Sequence, residues 1–360
     1  MTTTLVSLIS DQTIPNIQFI KEKKADNYLF ISTDSMEKKG VASWIIDSLN
    51  IPIEICQVIV VNPFNYDSII QETEKAINDE NLYLVNLTGG TKLMSLAIND
   101  LFRNLNAELY YLSGNGSYTK LFPGRSKQSY PLTQKLSLEV YLKSYGFKIK
   151  SISEPVLPFE IAERIYHYYL NSFSKEHDVV PLTYLFSKRG KNISDLTECE
   201  SLIPFLNRLN YLPQEENFLS KLETKFLTGD WFEEFFFHLL KQQNSSNISS
   251  IGTGWVIEKN GIPNEFDIVY IHKDNLRIIE CKTFIWANSE ETKSIIGETI
   301  YKSDSLKNKL GLFAKTSIVT LSELSSPKLK EHLNRAIDSK ISVYGKQDLL
   351  HLSETIQKLI

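Results

Sequence analysis

Three charged residues in the last third of the chain have the types and spacing of a hydrolytic metal site. Asp267 closes the segment Asn-Glu-Phe-Asp at the start of an apolar strand, and the next strand, residues 276–282, carries Glu280 and Lys282. Because side chains alternate along a strand, the last two share one face, and a carboxylate on the neighbouring strand can join them there. Two carboxylates on one face predict a divalent-cation site, with the ammonium orienting a water.

A solvated hairpin is the competing interpretation of these strands, since Glu and Lys are common on exposed strand faces. Ile278, Ile279 and Cys281 make the second strand apolar on both sides of Glu280, which is typical of a central strand. An unpaired carboxylate is costly to bury unless a metal or a lysine compensates it. The pattern therefore favours the metal site.

A helix predicted over residues 228–242 precedes the two strands and supplies a further acid. At 100° per residue its apolar positions centre on one face, with Glu233 near the edge of that face and Glu234 almost opposite it. We therefore expect Glu233 to face the site and Glu234 to be solvated. A capping box, in which Asp230 is the N-cap and Glu233 reaches back to its amide, is the alternative.

In this order, Glu233, Asp267, Glu280 and Lys282 resemble the helix Glu, the Asp and the Glu-x-Lys of the PD-(D/E)xK restriction-endonuclease-like nucleases. The resemblance implies that Asp267, Glu280 and the main-chain carbonyl of Cys281 bind Mg²⁺ or Mn²⁺. It also implies that Lys282 positions the attacking water or helps to deprotonate it, and that Glu233 acts through a metal-bound water.

A glycine-rich turn at residues 85–94, Val-Asn-Leu-Thr-Gly-Gly-Thr-Lys-Leu-Met, is the second motif with a chemical signature. Two glycines permit a tight turn whose amides converge, and the helix after it offers free N–H groups, so an anion site is predicted. The spacing fits neither a Walker A loop nor a GxGxxG fingerprint. A turn needed only for close packing would explain the glycines but not the polar residues around them: Asn86, Thr88, Thr91 and Lys92.

The string Asn-x-Thr-Gly-Gly-Thr-Lys-x-Met resembles the signature of the CARF domain, the Rossmann-like sensor of type III CRISPR defence that binds cyclic oligoadenylates. A polar loop at residues 10–16, after the first predicted strand, and Thr33, after the second, fit the same ligand. The resemblance assigns the following residues to ligand binding: Ser10, Asp11, Gln12, Asn16, Thr33, Asn86, Thr88, Gly89, Gly90, Thr91, Lys92 and Met94.

Strands and helices alternate over residues 1–112, which predicts a mostly parallel sheet with helices on both faces. Ligands of such sheets bind at the carboxyl ends of the strands. The predicted strands are 5–9, 28–31, 53–61, 82–87 and 108–112, and the predicted helices are 37–49, 66–78 and 91–104.

The predicted fold class of the whole chain is α/β, in three parts. Residues 1–150 form a Rossmann-like CARF domain, residues 151–222 a small helical spacer that is winged-helix-like in outline, and residues 223–360 an α/β restriction-endonuclease-like core. Within the spacer, helices are predicted at 159–173 and 202–212. In the core, the helix before the motif strands is followed by a helix at 289–309, a strand at 316–321 and a final helix.

Together the two motifs resemble the CRISPR ancillary nucleases that join a CARF sensor to a restriction-endonuclease-like domain. That family implies a homodimer, cyclic tetra-adenylate as allosteric activator, and DNA as substrate, with RNA as a second candidate. Two other hypotheses stay open. One is a non-catalytic, nucleotide-sensing regulator that binds nucleic acid, and the other is a sensor that also degrades its cyclic ligand.

Composition limits the partners and the compartment. The 360 residues carry a net charge of −4, so contacts to nucleic acid must rest on local clusters rather than on a global basic field. Three widely spaced cysteines exclude zinc-type spacing and a disulfide framework, and neither a signal peptide nor a membrane-spanning run is present, so we expect a cytoplasmic protein. One lysine cluster, for which a solvated helix face is the alternative, follows the motif strands: Lys293, Lys302, Lys307, Lys309 and Lys315.

Overall fold

The computed structural model describes residues 1–114, 116–124, 128–243, 247–283, 289–307 and 309–360, without the side chains of 289–294. None of the described helices combines the length and hydropathy needed to cross a lipid bilayer. The strands are β1 (Thr3–Leu8), β2 (Asn27–Ser32), β3 (Cys56–Val60), β4 (Leu82–Asn86), β5 (Ala107–Leu112), β6 (Ser117–Phe122), β7 (Gln128–Pro131), β8 (Lys148–Ser153), β9 (Ile248–Lys259), β10 (Ile262–His272), β11 (Asn275–Lys282), β12 (Lys315–Thr320) and β13 (Ser342–Tyr344). The α-helices are α1 (Ile14–Glu22), α2 (Asp34–Lys39), α3 (Val41–Ser48), α4 (Tyr66–Glu74), α5 (Lys92–Phe102), α6 (Leu138–Ser144), α7 (Phe159–Asn171), α8 (Lys175–Ser187), α9 (Leu202–Arg208), α10 (Lys221–Lys225), α11 (Trp231–Gln242), α12 (Ser289–Lys307), α13 (Lys330–Asp338), α14 (Lys346–Leu349) and α15 (Leu352–Leu359).

The first sheet holds seven strands in the order β3-β2-β1-β4-β5-β6-β7. The first five of these strands are parallel, as the alternating pattern of strands and helices predicts. β6 pairs antiparallel with β5, and β7 pairs antiparallel with β6. The strand order reverses between β1 and β4, so the carboxyl ends of these two strands open a crevice suited to a ligand.

Two predictions in this part of the chain are wrong in detail. The last three residues of the predicted polar loop after β1 belong to helix α1, which starts at Ile14 with Pro15 in its first turn, where a missing N–H costs nothing. The helix predicted over 37–49 is broken into α2 and α3 by Gly40, whose φ of +82° suits glycine.

The second sheet holds six strands in the order β13-β12-β11-β10-β9-β8. β10 pairs antiparallel with both β9 and β11, whereas β11, β12 and β13 are parallel. The predicted domain boundary at residue 150 falls inside β8, which pairs with β9. Residues 148–153 therefore belong to the second sheet.

The middle block is joined to the second sheet by a common core. Tyr166 of α7, Leu185 of α8 and Phe205 of α9 lie in one buried cluster with Phe235 of α11 and Ile268 of β10. The sequence does not predict α8, which contains Pro181. The predicted spacer therefore packs as a layer against α11 and the second sheet.

Two more elements of the second half differ from the sequence-based prediction. β9 is a long strand that the sequence does not indicate, and the single final helix is in fact α13, α14 and α15, with β13 between the first two. The predictions of a helix before β12 and of a strand at 316–321 are confirmed within two residues at each end.

The two sheets share a hydrophobic core. Phe19 and Tyr110 of the first sheet layer and Tyr141 of α6 belong to one buried cluster with Trp255 and Val269 of the second sheet. The connection between the two halves of the chain is therefore a packed contact rather than a flexible tether.

Candidate active site

β10 and β11 bring the predicted charged residues together. Their ladder pairs Ile268 with Ile279, and Asp267 and Glu280 each lie one residue beyond this pair. The ammonium of Lys282 lies 3.0 Å from Asp267 Oδ2 and 3.5 Å from Glu280 Oε2. The two acids are only 9% and 2% exposed, which excludes the solvated hairpin.

Asp267 is held in place from two sides. The backbone N–H of Cys281 donates to Asp267 Oδ2 at 2.7 Å, and the hydroxyl of Thr253 on β9 donates to the Asp267 carbonyl at 2.8 Å. Burial raises the pKa of the Cys281 thiol well above its usual value, so this side chain stays neutral. Cys281 contributes to the site through its main chain, whose N–H binds Asp267, and not through its sulfur.

The charges of the cluster depend on one another. Burial raises the pKa of Glu280, the charge of Asp267 raises it further, and Lys282 and Lys302 oppose the shift. Burial alone would lower the pKa of Lys282, but Asp267 and Glu280 raise it above its usual value. Lys282 is therefore an ammonium that donates hydrogen bonds in this state.

Glu233 lies in the first turn of α11 and within the electrostatic reach of the cluster. Burial raises its pKa well above the usual value, and the charges of Asp267 and Asp230 raise it further, whereas Lys282 lowers it. Asp230 makes no capping hydrogen bond to α11 and pairs instead with Arg189 at 2.6 Å. The geometry thus favours the site over the capping box.

The prediction that Glu234 is solvated is wrong. Its side chain is 4% exposed and accepts hydrogen bonds from the backbone N–H groups of Val156 at 2.9 Å and Leu157 at 3.3 Å. The middle block covers the face of α11 that helical periodicity assigns to solvent. Burial raises the pKa of Glu234 to about 7, and the two amide hydrogen bonds oppose the shift.

Lys302 of α12 is a member of the site that the sequence places only in the lysine cluster. Its ammonium lies 3.5 Å from Glu280 Oε2 and donates to the Glu265 carbonyl at 3.0 Å. The other lysines of the cluster do not approach the acids: Lys307 donates to the Ser339 carbonyl, Lys309 and Lys315 are exposed, and the side chain of Lys293 lies outside the described residues.

The donor set of the site fits a hard divalent cation. In the described part of the chain, no three Asp, Glu, His or Cys side chains converge into a metal-binding group. Two buried carboxylates, Asp267 and Glu280, remain, together with the Cys281 carbonyl that the sequence resemblance assigns. Oxygen donors suit Mg²⁺ or Mn²⁺, and a cation would relieve the repulsion between the two acids.

The glycine turn after β4 is tight for a steric reason. A Cβ on Gly89 would lie 2.1 Å from the Leu8 carbonyl oxygen, and Gly90 has a φ of +70°. Thr91 then caps α5 by accepting from the Met94 N–H at 3.2 Å, and Lys92 is exposed beside it. The amino end of α5 therefore presents N–H groups beside a cation, as an anion site requires.

A chain of buried amides supports this turn. Asn16 donates to the Leu8 carbonyl at 2.9 Å, Asn86 donates to Asn16 Oδ1 at 2.9 Å, and the Thr88 N–H donates to Asn86 Oδ1 at 3.0 Å. Both asparagines and Met94 are fully buried. Asn16, Asn86 and Met94 are thus buried residues that support the glycine turn. Their direct contact with a ligand stays a prediction.

The other predicted ligand residues lie at the carboxyl ends of β1 and β2. The Ser10 hydroxyl donates to the Gln12 carbonyl at 3.3 Å, and Asp11 forms an exposed ion pair with Lys39 at 2.6 Å. Thr33 caps α2 by accepting from the Met36 N–H, and it is nearly buried. The side-chain oxygen of Gln12 accepts from the N–H of Leu312, in the second half of the chain.

Family models match both halves of the sequence. Residues 4–141 match the Card1 CARF domain, and residues 220–359 match the Card1-like endonuclease domain. The chain belongs to the CARF-domain ancillary nucleases. The CARF match contains every residue predicted to bind the ligand, and the endonuclease match contains Glu233, Asp267, Glu280 and Lys282. A search among curated proteins finds no match.

Solved structures show the same fold. Can2 from Sulfobacillus thermosulfidooxidans, in complex with cyclic tetra-adenylate, is 24% identical, with a TM-score of 0.75 over 98% of this chain and 99% of that one. Protein VC1899 from Vibrio cholerae is 18% identical, with a TM-score of 0.73 over 99% and 98%. A type III CRISPR defence DNA nuclease activated by cyclic oligoadenylate is 17% identical, with a TM-score of 0.56 over 89% of this chain and 45% of that one.

The burial of Glu234 predicts a pH dependence of stability. The folded carboxyl binds its proton more tightly than the unfolded one, so the stability that this proton contributes is present below about pH 4.5 and is lost as the pH rises through about 7. Glutamine stays neutral at every pH. Between pH 4.5 and 8, the free energy of unfolding of Glu234→Gln should therefore rise by roughly 3 kcal/mol relative to that of the native chain. Urea unfolding of both proteins across this range measures the difference.

An exposed acid serves as the control for this prediction. Glu354 is exposed on α15, and Glu354→Gln should keep a constant difference from the native chain across the same pH range. A constant difference for Glu234→Gln as well would show that burial does not hold the proton on this carboxyl.

Proposed function

We propose that this protein is a metal-dependent endonuclease of type III CRISPR defence that cyclic tetra-adenylate activates in the cytoplasm. Its proposed substrate is DNA, with RNA as a second candidate. The buried cluster of Lys282, Asp267 and Glu280 within the Card1-like endonuclease domain carries the proposal. The CARF domain, and the likeness to Can2 solved with cyclic tetra-adenylate, support the activator.

Hydrolysis of a phosphodiester requires an oriented water and relief of the negative charge that builds on the phosphate oxygens. The Lys282 ammonium, fixed by Asp267, can donate to that water or to a phosphate oxygen. Asp267, Glu280 and the Cys281 carbonyl would hold Mg²⁺ or Mn²⁺. When bound, such a cation lowers the pKa of a coordinated water and neutralises charge. Glu233 adds a further carboxyl whose charge interacts with those of Asp267 and Lys282.

The proposed active form is a homodimer. A cyclic tetranucleotide has a twofold axis, and an isologous pair of identical protomers presents the same turn, residues 88–92, twice around such an axis. A ring that contacts both turns binds the closed arrangement of the dimer more tightly and therefore increases its population. The exposed Lys92 and the amino end of α5 give each protomer a site for the ring's phosphates.

A cleavage assay tests the proposed function directly. Single-stranded DNA, double-stranded DNA and RNA are each incubated with the protein, with and without cyclic tetra-adenylate and Mn²⁺. We expect loss of a nucleic-acid substrate only when both are present. A non-catalytic regulator would instead retard the nucleic acid on a gel without shortening it, and that result would contradict the proposal.

Glu280→Gln and Lys282→Ala should abolish activated cleavage. Each change removes a charge that orients or compensates the reacting groups, so we expect a loss of roughly 10²- to 10⁴-fold in rate. The affinity for cyclic tetra-adenylate, measured by calorimetry, should not change, because neither residue is among those predicted to bind the ligand. Full activity of either variant would remove the cluster from the mechanism.

Lys302→Met should weaken cleavage less severely. The ammonium lies beside Glu280 at the edge of the site with its side chain 40% exposed, so it can contact both the carboxylate and an incoming phosphate. Loss of one charged hydrogen bond predicts a decrease of about tenfold in kcat/KM. Lys315→Met, which removes an exposed lysine of the same cluster, is the matched control. Equal losses for both variants would indicate only a general effect of charge.

A further inference from the structure

The turn that joins the two catalytic strands lies against the CARF domain. Lys273 and Asp274 have φ values of +49° and +59°, as in a tight two-residue hairpin turn. Together with Asn275, they line a cavity of about 270 Å³ that Thr88 and Leu112, at the carboxyl ends of β4 and β5, also line. The hairpin and the predicted ligand turn thus line the same cavity.

Hydrogen bonds of Gln12 and Gln18 connect the domains at this cavity. Gln18 Nε2 of α1 donates to Asp274 Oδ2 at 3.0 Å, and the Leu312 N–H donates to Gln12 Oε1 at 2.9 Å. The loop that contains Leu312 is in turn tied to β11, because Arg277 donates to the Phe313 carbonyl at 3.0 Å. Both contacts therefore lead from the CARF domain to the hairpin.

The hairpin can transmit a displacement to the candidate active site. β10 and β11 are paired without interruption from His272 and Asn275 to Ile268 and Ile279. Asp267 lies seven residues before Asp274, which corresponds to roughly 23 Å along an extended strand. Since a paired, buried hairpin moves as a unit more readily than it bends, a shift of its turn alters the position of Asp267 and Glu280.

The cavity also has the chemistry to bind a nucleobase. Tyr111 and Phe313 line it and expose 45% and 59% of their surface, so each offers an aromatic face for stacking. The amides of Gln12 and Gln18 and the carboxylate of Asp274 supply donors and acceptors at the edges, and Gln pairs well with the N6 and N7 atoms of adenine.

We propose that this cavity is a binding site for an adenine base of the activator, and that the β10–β11 turn is part of it. A base there competes for Gln12 and Gln18 and so loosens their bonds to Leu312 and Asp274. Occupancy of the CARF domain is then coupled to the placement of the hairpin, and the coupling is reciprocal. This inference rests on the proposed function, since it takes a cyclic oligoadenylate as the ligand.

An exchange of donor and acceptor tests the contact between Gln18 and Asp274. Gln18→Glu sets two carboxylates against each other. Asp274→Asn keeps an acceptor for Gln18, and asparagine tolerates the left-handed backbone at this position. In the double variant, the amide of residue 274 donates to the carboxylate of residue 18, so the hydrogen bond is restored with donor and acceptor exchanged. The full-length protein is titrated with cyclic tetra-adenylate, and both the Kd and the ratio of activated to unactivated cleavage are measured.

We expect Gln18→Glu to change this ratio at least fivefold and the double variant to return it to within twofold of the native value. Asp79→Asn removes a charge from an exposed loop at the opposite end of the first sheet and should change neither quantity. The proposed coupling would be overturned if Gln18→Glu kept the native ratio of activated to unactivated cleavage. It would also be overturned if the double variant failed to bring this ratio closer to the native value.

Phe313→Ala tests the base-binding wall with an exposed residue whose loss does not threaten folding. Loss of one stacked base predicts a Kd for cyclic tetra-adenylate that is roughly fivefold to a hundredfold weaker. Leu212→Ala, an exposed apolar residue of the middle block, is the matched control. An unchanged Kd in Phe313→Ala would exclude a base at this wall. If the native protein bound the ring without cleaving anything, the proposed function would fail while this binding test still gave its answer.

Discussion

The ammonium of Lys282 contacts both buried acids of the second sheet, and that of Lys302 adds a second cation beside Glu280. Asp267 and Glu280 lie where an unpaired carboxylate would be costly, and Lys282 contacts both. This arrangement requires that β10 and β11 keep their register, because a slip by one residue would turn every side chain of one strand to the opposite face. The Cys281 N–H and the Thr253 hydroxyl fix Asp267 in that register from both neighbouring strands.

Helix α11 links this cluster to the rest of the second half of the chain. Its two consecutive acids interact with different parts of the structure. Glu233 interacts electrostatically with the charged cluster, whereas Glu234 accepts hydrogen bonds from the two backbone N–H groups that precede α7. A shift or rotation of α11 that moved one of them would therefore disturb the other. The aromatic residues between these contacts, including Phe235 stacked on Tyr166 with ring centroids 4.1 Å apart, hold the helix against the middle block.

The sequence predicts the charged strands correctly because motif and alternation agree there. It fails for Glu234 because helical periodicity assigns one buried face, whereas α11 is covered on a second side by residues that lie far away in the chain. It fails for α1 because Thr13, Pro15 and Asn16 are common in loops, although Pro also suits the first turn of a helix.

The remaining failures concern contacts rather than element types. β9 escapes prediction because Gly252 and Gly254 interrupt its apolar pattern; Trp255 and Ser153 pack against the positions that a Cβ would occupy. The role of Lys302 depends on how α12 docks against Glu280, 22 residues earlier in the chain. Neither a docking angle nor a contact between domains, such as that of Gln12 with Leu312, is encoded in local spacing.

The pairing of β8 with β9 bears on how freely such a nuclease can be separated from its sensor during evolution. The endonuclease match starts at residue 220, but the strand that covers the outer edge of β9 comes from residues 148–153, before the middle block. A gene fragment that encoded only the matched domain would expose the hydrogen-bonding edge of a long central strand, which is a template for aggregation. A cut at the family boundary would thus separate β9 from the strand that pairs with its outer edge.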